Sequence, residues 1–311
     1  MHKVAEEERL EEVECNLCGA SDANFWCYTK ESSNSHAAAQ FQGTKRFPVV
    51  RCKACGLVYI SPRYSAEKRR ALYCDEGLFT GSADPEGRPR SYIGERELKQ
   101  AAFRPLIGRL ERFQRGGRLL DVGSGPGFFL DLLGPHWQGE GLDPSSFASR
   151  YARRKLGIKV EKGKFETGKY APATFAAVTM LQVLDHLPDP LQSLREVHRL
   201  LVPGGVLMLS SVVNIDSYCA RMFGAGYRLL APNHLYYFSP RTLRRILRMA
   251  GFEVREVRYP YWRTPYCNLR ELGKLVRGTL RVLCQREENR QPVLSPPFYG
   301  NMMDAIAAKP A

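Results

Sequence analysis

The sequence holds no run of about 18 apolar residues, so no helix is expected to span a membrane. Glu6, Glu7, Glu8, Glu11 and Glu12 crowd its start, the reverse of a signal peptide, and a cytoplasmic location is expected. Acidic residues are in deficit, 32 against 46 Lys and Arg, a formal net charge of +14. That excess raises nucleic acid as a partner. The basic residues are spread along the chain, however, and no recognised RNA-binding motif accompanies them. A solvated basic surface is the preferred reading, and the same field would draw an anionic small substrate. With 311 residues and 44% hydrophobic content, the chain can build one large globular domain and a small one.

What is present is organised around residues 118–130, RLLDVGSGPGFFL. Leu119, Leu120 and Val122 read as a short buried strand with Asp121 near its carboxyl end. Gly123, Gly125 and Gly127 follow, with Ser124 and Pro126 between them, and then a stretch of helical period. A strand, a glycine turn and a helix open a βαβ unit. Glycine lets the backbone approach a ligand, and the turn's N–H groups and the helix N-terminus are expected to face it. Two ligands fit such a turn, a dinucleotide or S-adenosylmethionine. The dinucleotide pattern is G-x-G-x-x-G, whereas this turn reads G-x-G-x-G. A carboxylate such as Asp121 disfavours a diphosphate and favours a cationic amino-acid headgroup. Twenty-two residues on, Asp143 ends a second strand and is the candidate for two ribose hydroxyls; capping the helix that follows is its rival role.

Residues 120–127, LDVGSGPG, resemble motif I of class I S-adenosylmethionine-dependent methyltransferases. Three further segments match that family in order: Gly141-Leu142-Asp143, the stretch 175–190 around a fourth strand, and 200–209 with its Pro-Gly-Gly turn. The resemblance implies an α/β fold, a Rossmann-like doubly wound sheet closed by a C-terminal antiparallel hairpin. It implies S-adenosylmethionine as cofactor, held by Asp121, Gly123, Ser124, Gly125, Gly127 and Asp143. Phe165, in the loop that contacts adenine in the family, Leu181 at the end of the fourth strand, and Tyr92 in the lead-in are further expected contacts.

Cys15-x-x-Cys18-Gly and Cys52-x-x-Cys55-Gly form a paired C-x2-C signature. Four thiolates suit a closed tetrahedral zinc site, which is structural because no coordination position stays open. Two disulfides are disfavoured in a cytosolic chain. The other cysteines show no pairing pattern; Cys27 reads as a spare ligand or, preferably, a buried thiol. A zinc ribbon ahead of this core resembles a bacterial group of methyltransferases acting on sugars and natural-product intermediates.

The expected organisation is a zinc ribbon over 1–62, a helical lead-in over 63–115, and a core over 116–311 with substrate-cap inserts at 214–240 and 262–297. Helices are expected at 63–76, 94–114, 126–134, 146–156, 190–201 and 240–250, with a loop at 77–91. Strands are expected at 118–122, 138–143, 158–160, 175–181, 205–212, 251–257 and 302–308. In the second insert, Leu269, Leu272, Leu275, Val276, Leu280 and Leu283 recur at helical spacing opposite a basic face. A cap over the substrate cleft is preferred there to docking on a partner or membrane.

Methyl transfer to oxygen requires a base within hydrogen-bond reach. His186, in the Asp185-His186 pair after the fourth strand, and His234, in the 232–240 loop, are the candidates. A helix cap with a surface histidine, and a histidine that merely holds its loop, are the respective alternatives. The expected reaction is methylation of a small-molecule oxygen in secondary metabolism or sugar modification. Carbon methylation, or an RNA acceptor gripped by the basic surface, is the alternative.

Overall fold

The computed structural model describes residues 10–29, 46–69, 76–83, 89–261, 264, 267–285 and 291–311. The first strands are β1 (Leu10–Glu11), β2 (Ala23–Tyr28), β3 (Pro48–Cys52), β4 (Val58–Ile60) and β5 (Arg63–Tyr64). A lead-in follows: helix α1 (Gly77–Thr80), the two-residue strands β6 (Ser82–Ala83) and β7 (Pro89–Arg90), and helix α2 (Arg96–Leu110). The core runs β8 (Gly117–Val122), β9 (Trp137–Asp143), α3 (Ser146–Tyr151), β10 (Val160–Lys162), β11 (Phe175–Leu181), α4 (Pro190–Leu200) and β12 (Leu201–Val213). It ends with α5 (Tyr218–Phe223), β13 (Tyr236–Tyr237), α6 (Pro240–Met249), β14 (Glu253–Arg258), α7 (Leu269–Cys284) and β15 (Met302–Ala308).

The main sheet has seven strands in the order β10-β9-β8-β11-β12-β15-β14. The first five run parallel, and β15 lies antiparallel to both β12 and β14. Its strands are apolar on both faces, as burial between helix layers requires. The strand period of two divides them. Leu120, Val178, Leu207 and Leu209 pack with Leu194 and Val197 of α4 and Leu243, Ile246 and Leu247 of α6. Leu119, Ala177, Met208 and Ile306 pack on the other face with Ile107 and Leu110 of α2, Phe129 and Ala152. Arg109 of α2 locks the hairpin from that side, bonding Asp304 at 3.0 Å and Glu256 at 2.8 Å. The Rossmann-like methyltransferase sheet with its closing hairpin is thus present. Ser239 caps α6 with a full capping box, in which Thr242 bonds back.

The cysteine-bearing strands build a second sheet in the order β13-β4-β3-β2. Its fourth strand is contributed from residue 236 onward, between β12 and α6, where Tyr236 pairs with Tyr59 and Tyr237 with Val58. Apolar residues of the two regions also share one cluster, with Leu17, Leu57 and Tyr59 beside Leu235, Tyr236 and Phe238.

Four expected elements differ. Residues 63–64 pair with β1 as a strand, so the helix expected from 63 starts only after Ser65, whose hydroxyl accepts the Lys68 amide; 70–75 lie outside the described residues. The expected 77–91 loop carries α1 and the β6–β7 ladder, with 84–88 outside the described residues. The helix expected at 126–134 shrinks to one 3-10 turn at Leu130–Leu132. Three glycines at positive φ precede it and Gly134-Pro135 ends it, so too few residues remain to repay helix nucleation. The third strand sits two residues later than expected, at Val160–Lys162.

Candidate active site at the carboxyl ends of the strands

Gly123, Gly125 and Gly127 all have positive φ, +70°, +53° and +81°. The turn therefore folds tightly back on β9. The Gly123 and Ser124 amides donate to the Leu142 carbonyl at 2.7 and 3.3 Å, and the Gly125 amide donates to Asp143 Oδ2 at 2.8 Å. Those N–H groups are spent inside the protein, and with the helix reduced to one turn, neither expected anion-binding device is built. Diphosphate recognition needs both. Two buried carboxylates face the same turn instead, Asp121 at 2% and Asp143 at 6% exposure. Burial pushes the Asp121 carboxyl up to about 7, with the charge of Asp143 adding, against the 2.6 Å bond from the Thr179 hydroxyl. Burial likewise raises Asp143 to about 6, against bonds from the Ser145 and Gly125 amides. Desolvated carboxylates await a cation.

The Ser124 hydroxyl is buried with no partner. It marks a polar position that a bound molecule's hydroxyl or amine would satisfy. Phe79 of α1 approaches Gly125, standing 3.9 Å from where a Cβ would lie, and stacks on Phe147 of α3 at 5.7 Å between centroids. Tyr92 stacks on Phe128 at 5.8 Å, and the Lys99 ammonium sits 4.6 Å from its ring centroid. Burial, then the charges of Asp121 and Asp143, push the Tyr92 phenol up, so it stays neutral beside them. Phe165 packs against the core cluster that holds Leu142, and Leu181 ends β11 beside the turn. Asp143 does not cap the helix after it. Ser145 does, accepting the Ala148 amide, while Asp143 Oδ1 accepts the Ser145 amide. These features fit a cofactor with a cationic headgroup, a ribose and a flat base, as S-adenosylmethionine has.

Beyond β11, the 3-10 turn Leu184–His186 meets the loop before β13. The Leu235 amide donates to the Asp185 carbonyl at 2.8 Å. This brings together two histidines 48 residues apart in sequence, with ring centroids 4.9 Å apart. His186 Nδ1 lies 2.7 Å from the Asn233 carbonyl and His234 Nδ1 lies 2.8 Å from the Leu229 carbonyl. A carbonyl only accepts, so each Nδ1 carries a proton, and in a neutral ring the lone pair then lies on Nε2. Both Nε2 atoms face Asp185, each 3.9 Å from one carboxylate oxygen. Asp185 is 1% exposed, and its Oδ1 has no hydrogen-bond partner. Burial lowers the His234 pKa, helped by the charge of His186 and opposed by that of Asp185, so the ring is neutral near pH 7. From the sequence, Thr179 is not named as a site residue, and Asp185 enters only as the first member of the Asp185-His186 pair. A lone hydroxyl in an apolar strand was the only signal for the first, and adjacency to His186 for the second.

The four cysteines converge. Cys15 Sγ lies 3.4 Å from Cys55 Sγ, Cys18 Sγ lies 3.5 Å from Cys52 Sγ, and all four sulfurs fall within 4.8 Å of one another. Tetrahedral Zn–S bonds of about 2.3 Å place sulfurs roughly 3.8 Å apart. The Gly19 and Gly56 amides close the two turns on the Cys15 and Cys52 carbonyls. Cys27 is buried in the core beside β3, away from this group.

Comparison with known proteins agrees with the fold. A family profile for a methyltransferase domain matches residues 92–257. The chain is 33% identical over 177 residues to a ubiquinone biosynthesis O-methyltransferase of Nitrosospira multiformis, covering 50% of this chain and 74% of that one. It is 34% identical over 155 residues to that of Thiobacillus denitrificans, covering 46% and 67%. Among solved structures, a chain from the complex between the Haloferax volcanii Trm112 methyltransferase activator and a putative methyltransferase superposes with a TM-score of 0.53, at 16% identity, over 71% of this chain and 96% of that one. Among the described residues, no helix is long and apolar enough to cross a membrane. By its matched domain, its sheet order and its glycine turn, the chain belongs to the class I S-adenosylmethionine-dependent methyltransferases.

Proposed function

We propose that the protein methylates an oxygen of a small-molecule acceptor, with His234 as the base and His186 beside it. The observation that carries this reading is the pair of imidazoles whose Nδ1 atoms are held by backbone carbonyls and whose Nε2 atoms both face the buried Asp185 carboxylate beyond β11. S-adenosylmethionine supplies an electrophilic methyl group on a sulfonium sulfur. Asp121, Asp143 and Ser124, with Gly123, Gly125 and Gly127, would hold it, and Tyr92, Phe165 and Leu181 would flank it. His234 Nε2 would take the acceptor hydroxyl's proton as the methyl passes from sulfur to that oxygen, the S–C bond breaking and the cofactor leaving as a neutral thioether. Asp185 then stabilises the imidazolium. The name O-methyltransferase carried by the relatives supports oxygen over carbon as acceptor.

The reading extends to the domains. Within 1–62, Cys15, Cys18, Cys52 and Cys55 would hold the structural zinc of a ribbon, and the lead-in bounded by 63–115 would cover the cofactor. Segments 214–240 and 262–297 shape the acceptor side, consistent with Leu230, Tyr237 and Leu275 sharing one apolar cluster.

The test is label transfer from methyl-labelled S-adenosylmethionine into a host extract split into small-molecule, RNA and protein fractions. Label in the small-molecule fraction, reduced in His234→Ala, supports the proposal. Label in RNA overturns it.

A further inference from the structure

Helix α7 carries three lengthwise stripes, each offset from the next by one residue. Glu271, Leu275, Gly278 and Val282 face the protein. Glu271 and Leu275 are buried, Val282 packs on the neighbouring apolar cluster, and a Cβ on Gly278 would stand 2.9 Å from the Phe223 ring of α5. The Tyr218 and Thr279 hydroxyls meet at 3.1 Å and fix the helix further. With that stripe seated, the others are committed to solvent. Leu269, Leu272, Val276, Leu280 and Leu283 are 86%, 44%, 51%, 56% and 65% exposed. Spacings of three and four residues put all five on one face. Arg270, Lys274, Arg277 and Arg281 form the adjoining stripe and are exposed as well. The helix contains one acidic residue, Glu271, which is buried and bonded to Lys274 at 2.6 Å.

A row of five exposed aliphatic side chains is unfavourable in water and calls for a cover. We propose that this face of α7 docks the protein on an anionic lipid surface, the aliphatic stripe entering the acyl boundary and the cationic stripe lying among the headgroups. Charge complementarity selects this occupant. Another copy of the chain would set like-charged stripes and two +14 molecules against each other. RNA would use the arginines and leave the leucines in water. An interfacial helix uses both stripes together. The helix lies outside residues 92–257 of the matched domain, so the surface is a feature of this chain and not of the shared core.

The experiment is co-sedimentation of the full chain with phosphatidylglycerol–phosphatidylcholine vesicles and with phosphatidylcholine vesicles alone. Cofactor calorimetry and thermal unfolding report folding of every variant. Binding to the anionic vesicles only is expected. In Arg270→Gln/Arg277→Gln/Arg281→Gln, partitioning should fall roughly 100-fold, about fivefold per charge. Leu272→Ser/Val276→Ser/Leu280→Ser should release the protein with its charge unchanged. Failure of the folded wild-type chain to sediment with anionic vesicles at low salt would overturn the proposal. So would undiminished binding of the serine variant, since the +14 charge alone would then explain adsorption. A concentration-dependent dimer dissolved by the serine changes, or RNA binding lost in the glutamine variant, each without vesicle binding, would replace lipid by that partner.

Discussion

The Arg63 guanidinium donates to the Tyr236 hydroxyl at 3.2 Å, joining β5 to β13 of the cysteine-bearing sheet. Both side chains are buried, and both also donate to the Pro188 carbonyl, at 3.2 and 2.9 Å. Three segments distant in sequence therefore meet at one carbonyl, just past His186 and just after His234. This junction braces the segments that carry the two proposed bases.

Tyr236→Phe keeps the ring and removes the hydroxyl, leaving a buried guanidinium N–H without its acceptor. Such a loss costs about 1–3 kcal/mol. A lower unfolding midpoint is expected, with turnover reduced and cofactor affinity kept. An unchanged midpoint in thermal unfolding would show that the contact carries no stability.

Cys52→Ser removes one of four sulfurs from a site in which each supports the others. Metal content by atomic spectroscopy should fall from about one zinc per chain towards zero. Because Tyr236 and Tyr237 pair with β4, six residues past Cys52, their amides should exchange with deuterium faster. Full zinc retention in the variant would refute the four-sulfur assignment.

Replacing His234 with Ala should lower turnover roughly 100- to 10,000-fold, the usual range for a general base, with cofactor affinity near wild type. Burial lowers the His234 pKa, so the acid limb of turnover should lie below the ordinary imidazole value of about 6.5. The sign for stability is the same. The unfolded chain protonates His234 first as pH falls, so this group's contribution is present above about 6.5 and lost on acidification. Wild-type turnover in His234→Ala and in His186→Ala would remove both residues from the reaction.

Asp121 and Asp143 titrate near 7 and 6 in the folded protein, above the ordinary carboxylate value. The folded state holds these protons more tightly than the unfolded chain does. Cofactor-free protein should therefore lose stability as pH rises from about 4 to about 7. A cationic headgroup favours the ionised forms, so binding should release protons between about pH 6 and 7 and tighten as pH rises through that window. Calorimetry in buffers of different ionisation enthalpy reads the proton count directly. Net proton uptake would contradict the placement of the headgroup beside Asp121.

Gly125→Ala places a Cβ at φ +53°, at a strain of about 1–2 kcal/mol, in space that Phe79 alone approaches among the described residues. The fold should survive while cofactor affinity drops at least tenfold. Affinity equal to wild type, measured by calorimetry, would show that the turn does not line the cofactor site.

Local chemistry made much of this legible beforehand. The residues that end the strands, Asp121 and Asp143, were readable because glycine and aspartate have strict positional roles in a βα turn. The paired C-x2-C signature was readable because four soft ligands at that spacing suit one ion. The helix at 126–134 was misread because apolar period looks the same in a helix and in a packed turn; three positive-φ glycines override it. The strand at 63–64 was missed because its partner, β1, lies more than 50 residues away.

By itself, then, the sequence determined the fold class, the glycine turn and the clustered cysteines, since each depends on residues close together in the chain. Tertiary structure alone decided that the turn's amides are spent on Leu142 and Asp143, that His186 and His234 present Nε2 to Asp185, and that Tyr236 completes the ribbon sheet. Tautomer, burial and strand partner are set by groups brought together from distant positions. A one-dimensional pattern carries no record of those meetings until the chain has paid the entropy of closing the loops between them.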